Sequence, residues 1–137
     1  MQHVEADAWV AAVQAAMAAG HDRLVTLMGI DDGGLQVWLR LRGADGDDVV
    51  LTVDASAGVP TLTALLPTVA WDEREAAELY GIRFHGHATT PLLLAPDVPA
   101  PMTADVWLEA RQVPWPGADE PGGERARRRQ LPPGVRP

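Results

Sequence analysis

The sequence predicts a small α/β (α+β) fold: an N-terminal helix, a three-stranded antiparallel meander, a second helix and an extended, proline-rich C-terminal arm. Three observations predict it. Apolar residues recur at helical spacing through Trp9, Val13 and Met17. Strict apolar–polar alternation follows from Leu35 to Arg42, between two clusters of turn residues. After Ala95 the periodicity stops, and Pro, Gly and charge take over.

The first helix is expected over residues 7–19, with Asp7 as N-cap and Gly20 as stop. Its second face is mostly alanine, which suits a helix covered on more than one side. Arg23–Ile30 is apolar and partly β-branched, as a strand requires. Asp31-Asp-Gly-Gly34 reads as a tight hairpin turn. In the next strand Leu35, Val37, Leu39 and Leu41 point one way and Gln36, Trp38, Arg40 and Arg42 the other. A second turn, Gly43–Asp48, leads to a third strand, Val49–Asp54. Pro60 and Pro67 bracket Thr61–Leu66, which fits either a short strand or a single helical turn. Asp72 and Glu75 have capping-box spacing at the start of the second helix, and Gly81 ends it. Residues 1–97 would form the domain and residues 98–137 the arm.

A chain of 137 residues holds one core of modest size. No apolar run approaches the roughly 18–20 residues that a membrane span needs. The first residues lack a basic segment leading into an apolar stretch, so no secretory signal is expected and a cytoplasmic location fits. With no cysteine there is no disulfide, thiolate metal site or iron–sulfur ligation in this chain. All eleven basic residues are arginine, consistent with a GC-rich genome. Charge is unevenly placed. Residues 1–122 are net −12 and residues 123–137 net +4, together the formal −8 of the chain. An acidic body argues against nucleic acid, whose affinity comes mainly from neutralised phosphates. The basic tail suits an anionic lipid surface, an acidic groove on a partner, or its own acidic body.

Four constellations carry chemistry or recognition. Glu73, Arg74, Glu75 and Glu78 crowd one short helix beside Trp71. Arg74 and Glu78 stand at i, i+4, and Glu75 and Glu78 at i, i+3. This density fits a solvated face, a partner-binding face or, through paired carboxylates, acid–base chemistry. His85 and His87 stand two apart and could share a metal, with a third ligand from Glu78, Asp72, His3 or His21. Trp71, Tyr80, Trp107 and Trp115 fit interface anchors, although Trp107 and Trp115 could equally pack back onto the sheet. The cluster Arg125–Arg129, beside Leu131-Pro-Pro133, suits an acidic groove. No phosphate-cradling glycine loop and no nucleophile elbow occurs.

The helix motif resembles the 30 kDa (C) subunit of respiratory complex I, the NADH:quinone oxidoreductase, and the related subunit of membrane-bound group 4 nickel–iron hydrogenases. That family carries W-x-E-R-E-x-x-D/E-L-F/Y-G-I, then F-x-G-H, then a leucine-rich L-L-x-P. Here these are Trp71, Glu73-Arg74-Glu75 and Glu78-Leu79-Tyr80-Gly81-Ile82, then Phe84-His85-Gly86-His87, then Leu92-Leu93-Leu94-Ala95-Pro96. Leu62–Pro67 looks like the family's lead-in. The likeness is tight over residues 60–97 and loose over residues 7–54. Ala76 and Ala77 stand where the family has large apolar residues, and Ala88-Thr-Thr-Pro91 replaces its usual proline–arginine pair. Trp115-Pro-Gly117 and the tail Arg127–Pro133 look more like the hydrogenase branch.

The resemblance implies a non-catalytic respiratory-chain subunit with no cofactor of its own. It would dock on a hydrogenase-type large subunit at the cytoplasmic face of the cell membrane. Iron–sulfur clusters and, in the hydrogenase branch, nickel–iron would belong to partner chains. The expected interface comprises Trp71, Glu73, Arg74, Glu75, Glu78, Tyr80, Gly81, His87, Trp115, Arg127, Arg128 and Arg129. Arg74 would pair with an acid on its own helix or on the large subunit. The rival is a small standalone enzyme in which Glu75, Glu78, His85 and His87 converge on a metal or an acid–base site.

Overall fold

A computed structural model describes residues 1–88, 90–95 and 98–103. Trp107, Trp115 and Arg127–Arg129 lie outside the described residues, as does most of the expected arm.

The described fold is α+β. Strand β1 is Gln2–His3, α1 is Trp9–Ala18, and the meander follows as β2 (Arg23–Asp31), β3 (Leu35–Arg42) and β4 (Asp48–Asp54). A short β5, Val59–Pro60, precedes α2, Ala70–Tyr80, and β6, Phe84–His85, closes the order. The meander has the expected antiparallel pairing, with Leu39 opposite both Leu27 and Leu51. It gains a fourth strand that the sequence did not announce. β1 joins parallel to β4, so the sheet runs β1-β4-β3-β2. Two residues are too few to show any periodicity; the segment's place is set by its pairing, Gln2 opposite Leu51 and His3 opposite Thr52, with Val4 N–H on Thr52 O at 2.8 Å.

One face of the sheet is covered by the helices. Trp9 and Val13 from α1 pack with Val37, Leu39, Leu41, Leu51 and Val53, each almost wholly removed from water. Fully burying an aliphatic side chain of this size contributes about 1.5–3 kcal/mol before its ordering entropy is set against it. The alanine face of α1 is not covered as expected: Ala11 and Ala15 are exposed. Capping also departs from expectation. Ala8 precedes α1 with no side-chain cap bond, and Val69 does the same for α2. The Asp72 carboxylate does not close a capping box with Glu75; it accepts the Leu27 N–H of β2 at 2.8 Å. A backbone donor on a strand edge competes successfully for the same oxygen.

The segment Thr61–Leu66 resolves as a helical turn, with Leu66 N–H on Leu62 O at 2.8 Å. Gly81 ends α2 in the left-handed region (φ 71°), its N–H on Ala77 O at 3.0 Å. β5 and β6 form a small parallel pair, tied by Val59 N–H to Arg83 O and Thr61 N–H to His85 O, each 2.9 Å.

Gly58 makes this pair possible. Its φ is 85°, and a Cβ there would sit 2.8 Å from the Arg83 carbonyl oxygen. Gly58→Ala is therefore expected to destabilise the chain by about 2 kcal/mol, from left-handed strain and a backbone clash together. Gly34, with open space at its Cβ, is the control. Gly34→Ala should stay within about 0.5 kcal/mol in the same urea titration.

Candidate functional site

The charged motif lies on α2, and helix geometry sorts its side chains. Glu73 and Ala76 face inward and are buried, whereas Trp71 and Glu75, one turn apart, face out. Glu73 has no exposed surface at all. Its Oε1 accepts the Leu62 N–H at 2.8 Å. Its Oε2 accepts the Thr61 hydroxyl at 2.7 Å and the His87 Nδ1–H at 2.7 Å. A carboxylate can be buried only when so provided with donors. Glu73 and His87, both expected at a partner interface, are bonded to each other, Glu73 fully buried and His87 partly exposed.

Arg74 and Glu78 do not pair with each other as their spacing predicts. Both turn to the segment that follows β6. Arg74 donates from Nε to Thr90 O (2.9 Å) and from Nη2 to Pro91 O (3.3 Å), and its guanidinium lies 4.9 Å from the centre of the Trp71 ring. Glu78 is cradled by three successive backbone donors: Leu92 N–H at 2.9 Å, Leu93 N–H at 2.8 Å and Leu94 N–H. Desolvation pushes the Glu78 carboxyl up, but the Leu94, Leu93 and Leu92 donors and the Arg74 charge together outweigh it and hold the group below its ordinary value. The acid on its own helix is thus no direct partner of Arg74; that role falls to backbone carbonyls.

The remaining expected residues are placed as follows. Trp71 is 64% exposed, and Glu75 is exposed without a hydrogen bond or ion pair among the described residues. The Tyr80 ring packs over Gly29, where a Cβ would come within 2.6 Å of it. Gly81 serves as the helix stop described above. His85 Nε2 lies 3.3 Å from Ala57 O. Glu75, Glu78, His85 and His87 therefore do not meet: one faces solvent, one sits in the Leu92–Leu94 cradle, and the histidines contact different partners. No group of three or more His, Asp or Glu among the described residues is placed to hold a metal. The converging site of the standalone enzyme is not formed. Sequence reasoning missed the Leu92–Leu94 cradle and the Asp72–Leu27 bond. Both use main-chain donors, which leave no mark in residue type.

Fold and site together define an α+β domain whose charged helix fastens two loops to itself and presents an aromatic outward. Residues 2–112 match the family described as the 30 Kd subunit of respiratory-chain NADH dehydrogenase, and the chain belongs to that family. It is 37% identical over 71 residues to the C subunit of NADH-quinone oxidoreductase from Salinispora arenicola, covering 50% of this chain and 29% of that protein. It is 34% identical over 80 residues to the same subunit from Mycolicibacterium gilvum, covering 57% and 35%. The chain thus matches about a third of the length of these relatives. Two solved structures share the fold. The Nqo5 trypsin-resistant fragment (1-134) superposes with a TM-score of 0.58 at 22% identity, over 63% of this chain and 78% of the fragment. One polypeptide of the membrane-bound sulfane sulfur reductase, an archaeal respiratory membrane complex, superposes with a TM-score of 0.67 at 16% identity, over 78% and 71%. The family resemblance carried by the α2 motif is thereby confirmed. Among the described residues no helix is long and apolar enough to cross a membrane.

Two outcomes follow from the α2 geometry. Glu73→Ala strands the buried Leu62 N–H and two partly buried donors and is expected to cost about 2–4 kcal/mol in chemical denaturation; Glu73→Gln, which keeps the shape, should cost less. Glu78 sets an acid limit on the loop. Its folded pKa is depressed, so its contribution is complete above the unfolded value of about 4.3 and is lost as pH falls through the lower folded value. In an NMR titration the Leu92–Leu94 amides should keep their shifts at pH values where free glutamate already protonates. In Glu78→Gln they should no longer titrate with that group.

Proposed function

We propose that this chain is a docking subunit of a membrane-associated oxidoreductase of the complex I or group 4 hydrogenase type. It carries no redox centre. It seats on the hydrogenase-type large subunit of the electron-transfer arm at the cytoplasmic face, alongside iron–sulfur subunits. Trp71 and Glu75 are the partner-facing part of α2, and the Pro- and Arg-rich residues 98–137, with Trp115 and Arg127–Arg129, make the second contact.

One observation carries this reading: family membership over residues 2–112 coincides with a motif helix whose aromatic is left 64% exposed. A large aromatic held in place yet uncovered is the usual chemistry of an interface anchor. The Arg74 guanidinium over its ring, itself bonded to Thr90 and Pro91, restrains the indole before any partner arrives. Glu73 and Asp72 take part indirectly, by fixing the helix that carries Trp71.

The test is recovery of the tagged chain from its native membranes, with identification of whatever accompanies it by mass. A large subunit with iron–sulfur partners is expected. Trp71→Ala should lower that recovery about tenfold, as loss of a central aromatic anchor does, while the melting temperature of the isolated chain stays unchanged. Recovery of the wild-type chain alone, from the soluble fraction, would sink the proposal.

A further inference from the structure

The two edges of the four-stranded sheet are unequal. β1 is two residues long, too short to offer a ladder. β2, at the other edge, runs for nine residues, Arg23–Asp31. Proteins that keep an edge unpaired blunt it with proline, lysine, a bulge or brevity. β2 contains no proline, and its charged residues, Arg23 and Asp31, stand only at its two ends. Its one irregularity lies at Leu24–Thr26, and from Thr26 to Asp31 the register on β3 is unbroken.

The outer side of this edge can be read from one bond. The Leu27 N–H points away from β3 and is met by the Asp72 carboxylate at 2.8 Å. Antiparallel alternation then turns the N–H and C=O of Gly29 to the same outer side. Leu27 has been given a side-chain acceptor where a neighbouring strand would supply a carbonyl. No such acceptor is present for Gly29 among the described residues.

Beside this edge runs a groove of about 380 Å³ between β2 and α2, with Ala76, Leu79 and Met102 among its apolar walls and Asp72 and Glu75 at its rim. Asp72 is engaged with Leu27; Glu75 is the one carboxylate of the α2 motif without a partner among the described residues. On the opposite side of the same strand, Met28 (42% exposed), Ile30 and Trp38 form an apolar surface away from the helices. A strand laid along β2 would send alternate side chains to that surface and into the groove.

We infer that β2 accepts an extended segment of a partner protein, which continues the sheet. Its side chains are apolar on alternate positions, with a basic residue placed opposite Glu75. Main-chain bonds give the affinity and the flanking surfaces give the selectivity. The inference rests on the docking-subunit reading and adds to it a main-chain contact along β2, which meets the α2 face at Glu75.

Amide hydrogen exchange tests it, on the lone chain and on the complex recovered from native membranes. The Gly29 amide is expected to exchange about 100-fold more slowly in the complex, because a ladder bond must now open first. Glu75→Arg should reduce co-recovery of the partner about thirtyfold or more, as loss of a buried charge pair does, and leave the melting temperature unchanged; Glu75→Gln should do so less. An intact complex in which Gly29 exchanges as in the lone chain would overturn the inference and leave the docking reading standing. If the wild-type chain recovers no partner, the docking reading fails and the inference falls with it. Protection that rises with concentration of the lone chain would show that a second copy occupies the edge, and would overturn it as well.

Discussion

The structure depends first on the buried carboxylate of Glu73. An unpaired charge in that position would cost several kcal/mol or more, so the site exists only because three donors surround it. Those donors come from two places far apart in the chain: Leu62 and Thr61 before α2, and His87 after β6. One side chain therefore fixes the helix against the segments on either side of it. The β5–β6 pair sits in the same knot, since Thr61, which donates its hydroxyl to Glu73, also donates its N–H to His85 O. Geometry at any one of these points constrains the others.

The remaining charges on α2 divide by helix face. Asp72 reaches sideways to the β2 edge, Arg74 and Glu78 reach down to residues 90–94, and Trp71 with Glu75 stays outside. A crowded charged helix thus forms few ion pairs of its own. Its groups mostly serve backbone donors and acceptors of irregular segments, which have no ladder to satisfy them. Exposed pairs at i, i+4 contribute little, about 0.3–0.5 kcal/mol. A carboxylate receiving three N–H groups, or a guanidinium on two carbonyls, fixes a loop as well as a charge.

Much of this fold was legible because its signals are periodic. The β3 alternation predicted which of Leu35–Arg42 face inward, and Gly81 marked the helix end by the one conformation that favours glycine there. β1 was not legible, since two residues have no period. Nor was the fate of Asp72. Capping-box spacing is a local rule, and the nearest competing donor, Leu27, is 45 residues away in sequence. The site followed the same division. Residue types located the motif on α2, and its family likeness held. The inward turn of Glu73, against the outward turn of Trp71, emerged only with the packing. The same four letters, Glu-Arg-Glu and Glu, serve a buried lock, a loop clasp and a free surface group.

Arg74 links two of these roles. Its guanidinium bonds the Thr90 and Pro91 carbonyls while lying over Trp71, and the loop it holds is the one whose amides cradle Glu78. The position of the exposed aromatic and the docking of residues 90–94 are therefore coupled through one planar group. Lysine could not replace it, because a single ammonium cannot stack on the indole and hold two carbonyls in one plane. Ordering a side chain at an interface costs about 0.5–1.5 kcal/mol. A tryptophan restrained in the free chain has met part of that cost already. The loop clasp is in this sense part of the presented surface, and most of its own hydrogen bonds lie at that surface too.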